Sequence, residues 1–178
     1  MSLVSRTPAY TEDVTAVAAD AARDAERLLL TVWCSPDKIP VDPVLIARGL
    51  GIEVVNAELA ANVSGALVKR TGQDPIVLVN SKDSANRRRF TCAHELGHFV
   101  RRSDQLDEYQ YTDLRSDLAA TGQDPEEIYA NAFGACLLMP ERMVRRLRGL
   151  GLNDWELALR FGVSREAMQH RLGNLRLA

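Results

Sequence analysis

The segment that most constrains the fold of this chain is residues 90–100, which contains two histidines separated by three residues. On a helix, residues four apart differ by about 40° in azimuth and one turn in height, so His94 and His98 project from the same face. Glu95 lies about 100° round from His94, at the edge of that face. This pattern predicts a catalytic zinc site, with Glu95 placed to act on a water rather than to bind the metal.

The residues around the two histidines indicate that this helix is buried. Apolar side chains surround the motif, and two of the three histidines of the chain fall within it, which disfavours the alternative that they are ordinary helix histidines. Cys92 lies two residues before His94 and so points away from the histidine face. We interpret it as a small buried residue rather than a ligand. The apolar positions are Ala93, Leu96, Phe99 and Val100.

Length and composition are typical of one globular domain, with at most a small appended unit. The chain has 178 residues, of which 46% are hydrophobic, which is enough for a core. A net charge of −2 does not demand a nucleic-acid or membrane partner, and no segment approaches 18 apolar residues, so we expect no membrane span. Three separated cysteines, and an N-terminus without a signal-peptide pattern, predict reduced thiols in the cytoplasm.

Apolar periodicity predicts an α+β fold made mainly of helices, with a small sheet of about three strands ahead of the motif helix. The three consecutive arginines at residues 87–89 are interpreted as a solvated face of that helix, with contact to a substrate as the alternative. Residues 104–123 keep no sustained period, so no element is predicted there. Helices are predicted over residues 11–33, 43–47, 85–102 and 125–139, and strands over residues 52–55, 65–68 and 76–79.

A second helix offers the third ligand that a catalytic zinc needs, with one position left for water. Glu127, Asn131 and Gly134 lie on one face of it, at i, i+4 and i+7. They supply a ligand, a side chain able to hydrogen-bond a ligating histidine, and a residue small enough for close helix contact. Glu126 is the rival ligand by position. Both glutamates would also complement the dipole at the start of the helix.

The two helical segments together resemble the ImmA/IrrE family of metallopeptidases. They are also similar to the wider gluzincin pattern, in which a glutamate on a second helix is a ligand and a polar residue four positions later supports a histidine. The resemblance spans about residues 64–147. It is carried by residues 89–98 (RFTCAHELGH), by residues 127–131 (EIYAN) and by residues 137–140 (LLMP).

This resemblance implies a zincin-like metalloendopeptidase with His94, His98 and Glu127 on Zn²⁺ and Glu95 as the general base. It also implies the substrate class, a helix-turn-helix transcriptional repressor of phage, mobile-element or stress genes. Zinc chemistry then predicts that the metal lowers the pKa of its water from about 15.7 towards 7, and that Glu95 takes the proton and later returns it to the leaving amine.

The C-terminal segment, residues 154–172, predicts a helix-turn-helix, with Ser164 capping its second helix and an outward face of Glu166, Gln169 and His170. From Pro140 onward there are eight arginines and four acidic residues. We therefore predict a peptidase domain over residues 1–148 and a helix-turn-helix-like subdomain over residues 149–178.

Two functions other than proteolysis remain open from the sequence. The C-terminal subdomain would contact DNA, or else serve packing or substrate docking. The whole chain would alternatively bind its repressor without cutting it. The residue that stabilises the oxyanion is not identified by any pattern, and Tyr109, Tyr111 and His170 qualify by their chemistry alone.

Overall fold

The computed structural model describes residues 13–35, 37–102, 109–114 and 124–178, with only the backbone of residues 109–114. The predicted α+β class is confirmed, while the predicted helix start at Thr11 lies outside the described residues. The helices are α1 Val14–Leu28, which continues as a π-helical turn Leu29–Trp33, α2 Pro43–Gly49, α3 Ala85–Arg101, α4 Pro125–Leu138, α5 Glu141–Gly149, α6 Asp154–Phe161 and α7 Arg165–Asn174. The strands are β1 Glu53–Ala57, β2 Val63–Lys69, β3 Ile76–Asn80 and β4 Tyr109–Leu114.

The described strands form one mixed sheet in the order β1-β3-β2-β4. β1 pairs with β3 in parallel, whereas β2 runs antiparallel to both β3 and β4. The three predicted strands are present. β4 was not predicted, because its alternation of aromatic and polar residues lasts only from Tyr109 to Thr112 before Asp113 breaks it.

Helix α3 lies at the centre of the molecule, where it packs on α4, on α2 and on strands β2 and β3. Its eight consecutive residues from Thr91 to His98 are all buried, as the apolar surroundings of the motif predicted. A helix that is covered on every side holds its polar side chains away from bulk water. The histidine face of α3 therefore points into the protein, towards α4.

Two glycines allow α3 and α4 to pack closely. A Cβ atom at Gly97 would lie 2.9 Å from the Ala130 Cα atom and 3.2 Å from the Phe133 Cβ atom. A Cβ atom at Gly134 would lie 3.3 Å from the His94 backbone nitrogen. The backbones of the two helices are therefore in direct contact at the level of the motif, which brings the start of α4 next to the two histidines.

Replacing Gly97 with alanine is expected to destabilise the protein by about 1–3 kcal/mol, the usual cost of overpacking a tight interior. The added methyl group would push α3 away from Ala130, so metal affinity should fall as well. Gly173→Ala is the control, because a Cβ there meets nothing within 4 Å. That change should leave stability unchanged or raise it slightly. Thermal melts would contradict the packing argument if both variants matched wild type.

The prediction that residues 87–89 form a solvated face was wrong. All three arginines are partly buried, and Arg89 reaches beyond its own helix. Its Nη2 atom donates to the carbonyl oxygen of Val41, at 2.7 Å, and more weakly to that of Phe161, while its Nε atom donates to that of Gly162, at 3.1 Å. A buried guanidinium needs several acceptors, and backbone carbonyls from distant parts of the chain supply them, which no local pattern reveals.

The C-terminal helices α6 and α7 have the predicted helix-turn-helix form. Ser164 caps α7, and Glu166, Gln169 and His170 are exposed as predicted. The inner faces of both helices join the hydrophobic core that also surrounds α3. The domain boundary at residue 148 stays a prediction.

Within the described ranges, no helix combines the length and the apolar character needed to cross a membrane.

Candidate metal and active site

Three side chains from α3 and α4 converge on one point. His94 and His98 are 0% and 1% exposed, and their Nε2 atoms lie 3.0 Å apart. Glu127, in the first turn of α4, places Oε2 at 3.4 Å from the Nε2 atom of His94 and Oε1 at 3.3 Å from that of His98. The structure therefore brings the three predicted ligands together, through the spacing of four on α3 and the close contact of α4.

The spacing of these atoms suits a metal ion. Zinc bonds of about 2.0–2.1 Å in a tetrahedron place neighbouring ligand atoms about 3.3–3.4 Å apart, close to the observed distances. Among the described residues, His94, His98 and Glu127 form one group of potential metal ligands. One donor atom from each lies within 4.8 Å of the others. Two imidazoles and one carboxylate fit Zn²⁺ by number, chemistry and spacing.

The negative charge of Glu127 also favours a bound cation. Hydrogen bonds from His94 and then His98 lower the pKa of this carboxyl group well below its usual value, against the opposing effect of burial. Glu127 is therefore a carboxylate at neutral pH, half-buried beside two imidazoles. A buried negative charge of this kind is stabilised by a bound cation.

Asn131 lies one turn after Glu127 and contacts the far side of His94. Its Oδ1 atom is 3.1 Å from the Nδ1 atom of His94. With the proton on Nδ1, the imidazole donates to Asn131, and its Nε2 lone pair is then available to bind a metal ion in place of the hydrogen bond to Glu127. That is the orientation a metal-binding histidine needs.

Glu95 is completely buried. It follows His94 on α3, and its carboxylate faces strand β2, where a Cβ atom at Gly65 would lie 3.1 Å from Oε1. One carboxylate, that of Glu127, thus belongs to the candidate metal-binding group, and a second, that of Glu95, is on the residue that follows His94. Metal-assisted hydrolysis uses two carboxylates in this way, one as a ligand and one as a base.

The sequence of the chain matches a known family over most of its length. Residues 47–173 match the family described as the IrrE N-terminal-like domain, a peptidase family. The chain belongs to this family. The predicted resemblance to ImmA/IrrE metallopeptidases is therefore confirmed.

Two curated proteins are similar to this IrrE-like chain. Uncharacterized immunity region protein 2 of Bacillus phage phi105 is 26% identical over 125 residues, which are 70% of this chain and 75% of the phage protein. The radiation response metalloprotease IrrE of Deinococcus radiodurans is 34% identical over 106 residues, which are 54% of this chain and 30% of that protein.

A solved structure supports the fold of the family member. A Mycobacterium tuberculosis transcriptional regulator superposes with a TM-score of 0.58 at 22% identity, over 93% of this chain and 52% of that one. The likeness shows a shared fold alone. The chain spans about half of that regulator and less than a third of the Deinococcus protein.

The rival ligand Glu126 points elsewhere in this IrrE-like site. Its Oε1 atom accepts a hydrogen bond from Arg101 Nε at 2.9 Å, and its Oε2 atom accepts one from Arg102 Nε at 3.3 Å. Glu126 thus connects the start of α4 to the end of α3. The pairing could not be read from the sequence, because both arginines belong to another helix.

The other residues considered from the sequence do not join the metal-binding group. Burial raises the pKa of the Cys92 thiol to about 12, so it stays protonated within the core. His170 is exposed on α7. The side chains of Tyr109 and Tyr111 lie outside the described residues. The sequence analysis did not single out Gly65, which lies close to the Glu95 carboxylate. The one sequence signal for it is that a glycine occurs inside a predicted strand.

Replacing Asn131 with alanine is expected to weaken metal affinity or turnover by about 10- to 100-fold without abolishing either, because such partners orient the ligating imidazole. Metal titration with a competing chelator measures this effect. The control is Asn174→Ala at the end of α7, which should bind metal as wild type does. Equal metal affinity and equal turnover for Asn131→Ala and wild type would remove the supporting role.

Proposed function

We propose that this chain is a zinc-dependent endopeptidase that cleaves a helix-turn-helix transcriptional repressor of phage, mobile-element or stress genes. The observation that carries the proposal is the convergence of His94, His98 and Glu127 on one point, with the buried Glu95 next to His94 on α3. Family membership and the similarity to a radiation response metalloprotease support a metallopeptidase.

His94, His98 and Glu127 would hold the zinc ion, which supplies Lewis-acid activation of a water and of the peptide carbonyl group. Asn131 keeps the His94 ring in the orientation that presents Nε2 to this point. Glu127 contributes a negative charge, so the protein's own ligands carry a charge of −1 when both imidazoles are neutral. The three residues bind and orient, and none of them needs to exchange a proton during the reaction.

Glu95 performs the proton transfers. Its carboxylate takes a proton from the attacking water and later delivers it to the nitrogen of the leaving amine, so one residue serves as base and then as acid. Burial keeps bulk water from Glu95, and the fixed helix α3 holds its backbone next to the ligand His94. The peptide bond is broken, a water is consumed, and Glu95 ends in its starting state.

The substrate class is supported by the relatives. One is named as an immunity region protein of a phage and the other as a radiation response metalloprotease, which fits phage or stress genes. A repressor of such genes is a cytoplasmic protein in bacteria, so we place this chain in the cytoplasm too. Its three free cysteines, Cys34, Cys92 and Cys136, suit a reducing compartment.

Cleavage of candidate repressors tests the proposal. The purified protein is incubated with helix-turn-helix repressors encoded beside its gene, with and without a chelator, and the products are analysed by mass spectrometry. We expect one or a few cut sites that disappear with the chelator and return when Zn²⁺ is added. Intact repressors in every zinc-containing reaction would contradict the substrate class.

The second candidate function is DNA binding through α6 and α7, which the helix-turn-helix form favours. Gln169 of its outward face and the nearby Arg165 both make hydrogen bonds within the protein. Gln169 Nε2 and Arg165 Nε donate to Asp154 Oδ2 at 2.6 Å and 2.8 Å. These contacts leave fewer side-chain groups available to hydrogen-bond to the edges of DNA bases. Binding to duplex DNA that weakens steeply with salt would support this candidate.

A further inference from the structure

Thr91 is a buried polar residue that the proposed mechanism does not use. It is 0% exposed, and its Oγ1 atom has no hydrogen-bond partner among the described residues. A threonine within a helix often donates to the carbonyl group one turn earlier, which this one does not do. Because a valine of the same shape would avoid burying an unsatisfied hydroxyl, the fold alone gives no reason for threonine here.

The position of Thr91 connects it to the general base. Thr91 precedes Glu95 by four residues on α3, so the two side chains are neighbours on one face of the helix. Both also meet strand β2 at the same point. A Cβ atom at Gly65 would overlap Thr91 Cγ2, and it would lie 2.8 Å from the backbone oxygen of Leu78 and 3.1 Å from Glu95 Oε1. Thr91 and Glu95 therefore flank one position on β2, which only a glycine leaves open.

We propose that Thr91 and Gly65 are positioning residues for Glu95, an inference that rests on the proposed peptidase function. Because Gly65 has no side chain, it leaves space on β2, and the Glu95 carboxylate lies beside that space. The Thr91 hydroxyl hydrogen-bonds to that carboxylate, directly or through one water, after a rotation of either side chain. A hydroxyl donates to the ionised carboxylate and accepts from the protonated one, so it orients Glu95 both before and after proton transfer.

Thr91→Val and Thr91→Ser separate the hydroxyl from the methyl group. The probe is a proteome-derived peptide library, with cleavage followed by mass spectrometry and kinetics measured on a peptide that is cut. Thr91→Val should keep its zinc and its thermal stability, with kcat reduced about 10- to 100-fold and KM unchanged. Thr91→Ser should keep kcat near wild type. A fully active valine variant, or a serine variant as slow as the valine variant, would overturn the role of the hydroxyl.

Gly65→Ala tests the space beside the carboxylate. We expect the zinc content to persist while kcat falls by about 10²-fold, the loss that a misplacement of about 1 Å can cause. Gly173→Ala, which adds a methyl group in open space, should match wild type. Wild-type kcat for Gly65→Ala would overturn the proposal. So would loss of zinc together with activity, because the change would then act on the whole fold.

Crystal structures of the zinc-loaded wild-type and Thr91→Val proteins give a readout that does not depend on activity. We expect the Glu95 carboxylate to hydrogen-bond to Thr91 Oγ1, or to a water on it, and to rotate away in the valine variant. The same Glu95 conformation in both would overturn the inference. A wild-type protein that cuts no peptide and no repressor would contradict the peptidase proposal, while the two crystal structures would still decide the role of Thr91.

Discussion

Alanine in place of His94, His98 or Glu127 is expected to release the metal ion. Each change removes one of three ligand side chains, whose facing nitrogen and oxygen atoms are separated by 3.0–3.4 Å, so the loss of affinity should exceed the 10- to 100-fold effect of a supporting residue. Metal analysis after gel filtration should find about one zinc per chain in wild type and little in these variants.

Glu126→Ala is the matched control, because Glu126 neighbours Glu127 and carries the same charge but binds Arg101 and Arg102. It should retain its zinc and lose only a partly exposed ion pair. An empty Glu126→Ala protein and a zinc-loaded Glu127→Ala protein would reverse the assignment of the third ligand.

Thermal stability gives a second measure of the same site. A ligand that binds only the folded state stabilises it by about 4.1 kcal/mol at a concentration 1,000 times its Kd. The melting temperature of wild type and of Glu126→Ala should therefore fall when a chelator is added. The melting temperatures of the three ligand variants should not respond to the chelator. A chelator response in Glu127→Ala would show that its metal site survives.

Glu95→Gln is expected to separate binding from chemistry. Glutamine keeps the size and most of the hydrogen-bonding capacity of glutamate but takes no proton at neutral pH. Since Glu95 is not among the three converging ligands, the zinc and the fold should survive. Loss of general-base catalysis typically lowers a rate by about 10²–10⁴-fold, so cleavage of a repressor should disappear in an ordinary assay.

The same variant distinguishes the proposed protease from a non-cutting antagonist. If repression is relieved by cleavage, Glu95→Gln should bind the repressor but fail to relieve repression in a reporter assay. If the chain acts by binding, or by contacting DNA through α6 and α7, the variant should relieve repression as well as wild type does. That second result would contradict the peptidase proposal. Zinc content measured on the same sample excludes simple loss of the metal.

The histidine pair was predictable because its geometry is local. A spacing of four on a helix sets the relation of His94 to His98 whatever the rest of the fold does. The positions of Glu127 and Asn131 were predicted from one face of α4 and from a family resemblance. Their arrangement around His94 depends on the approach of two helices, which Gly97 and Gly134 permit.

The features that the sequence did not reveal depend on contacts between distant segments. Glu126 and Glu127 are neighbours with the same side chain, and only the position of Arg101 on α3 distinguishes them. Strand β4 pairs with β2 although Asp113 breaks the alternation of its own sequence. Gly65 and Thr91 are 26 positions apart and meet only because β2 lies against α3.

The contacts of Arg89 have a consequence for how the folded protein opens. This guanidinium binds carbonyl groups before α2 and at the end of α6, and desolvation lowers its pKa. Detaching α6 would leave a partly buried cation short of acceptors, so α6 and α3 should unfold as one cooperative unit. Native-state hydrogen exchange should then give similar opening free energies for amides of both helices. A partner that loosens α6 would thereby loosen the helix that carries His94, Glu95 and His98.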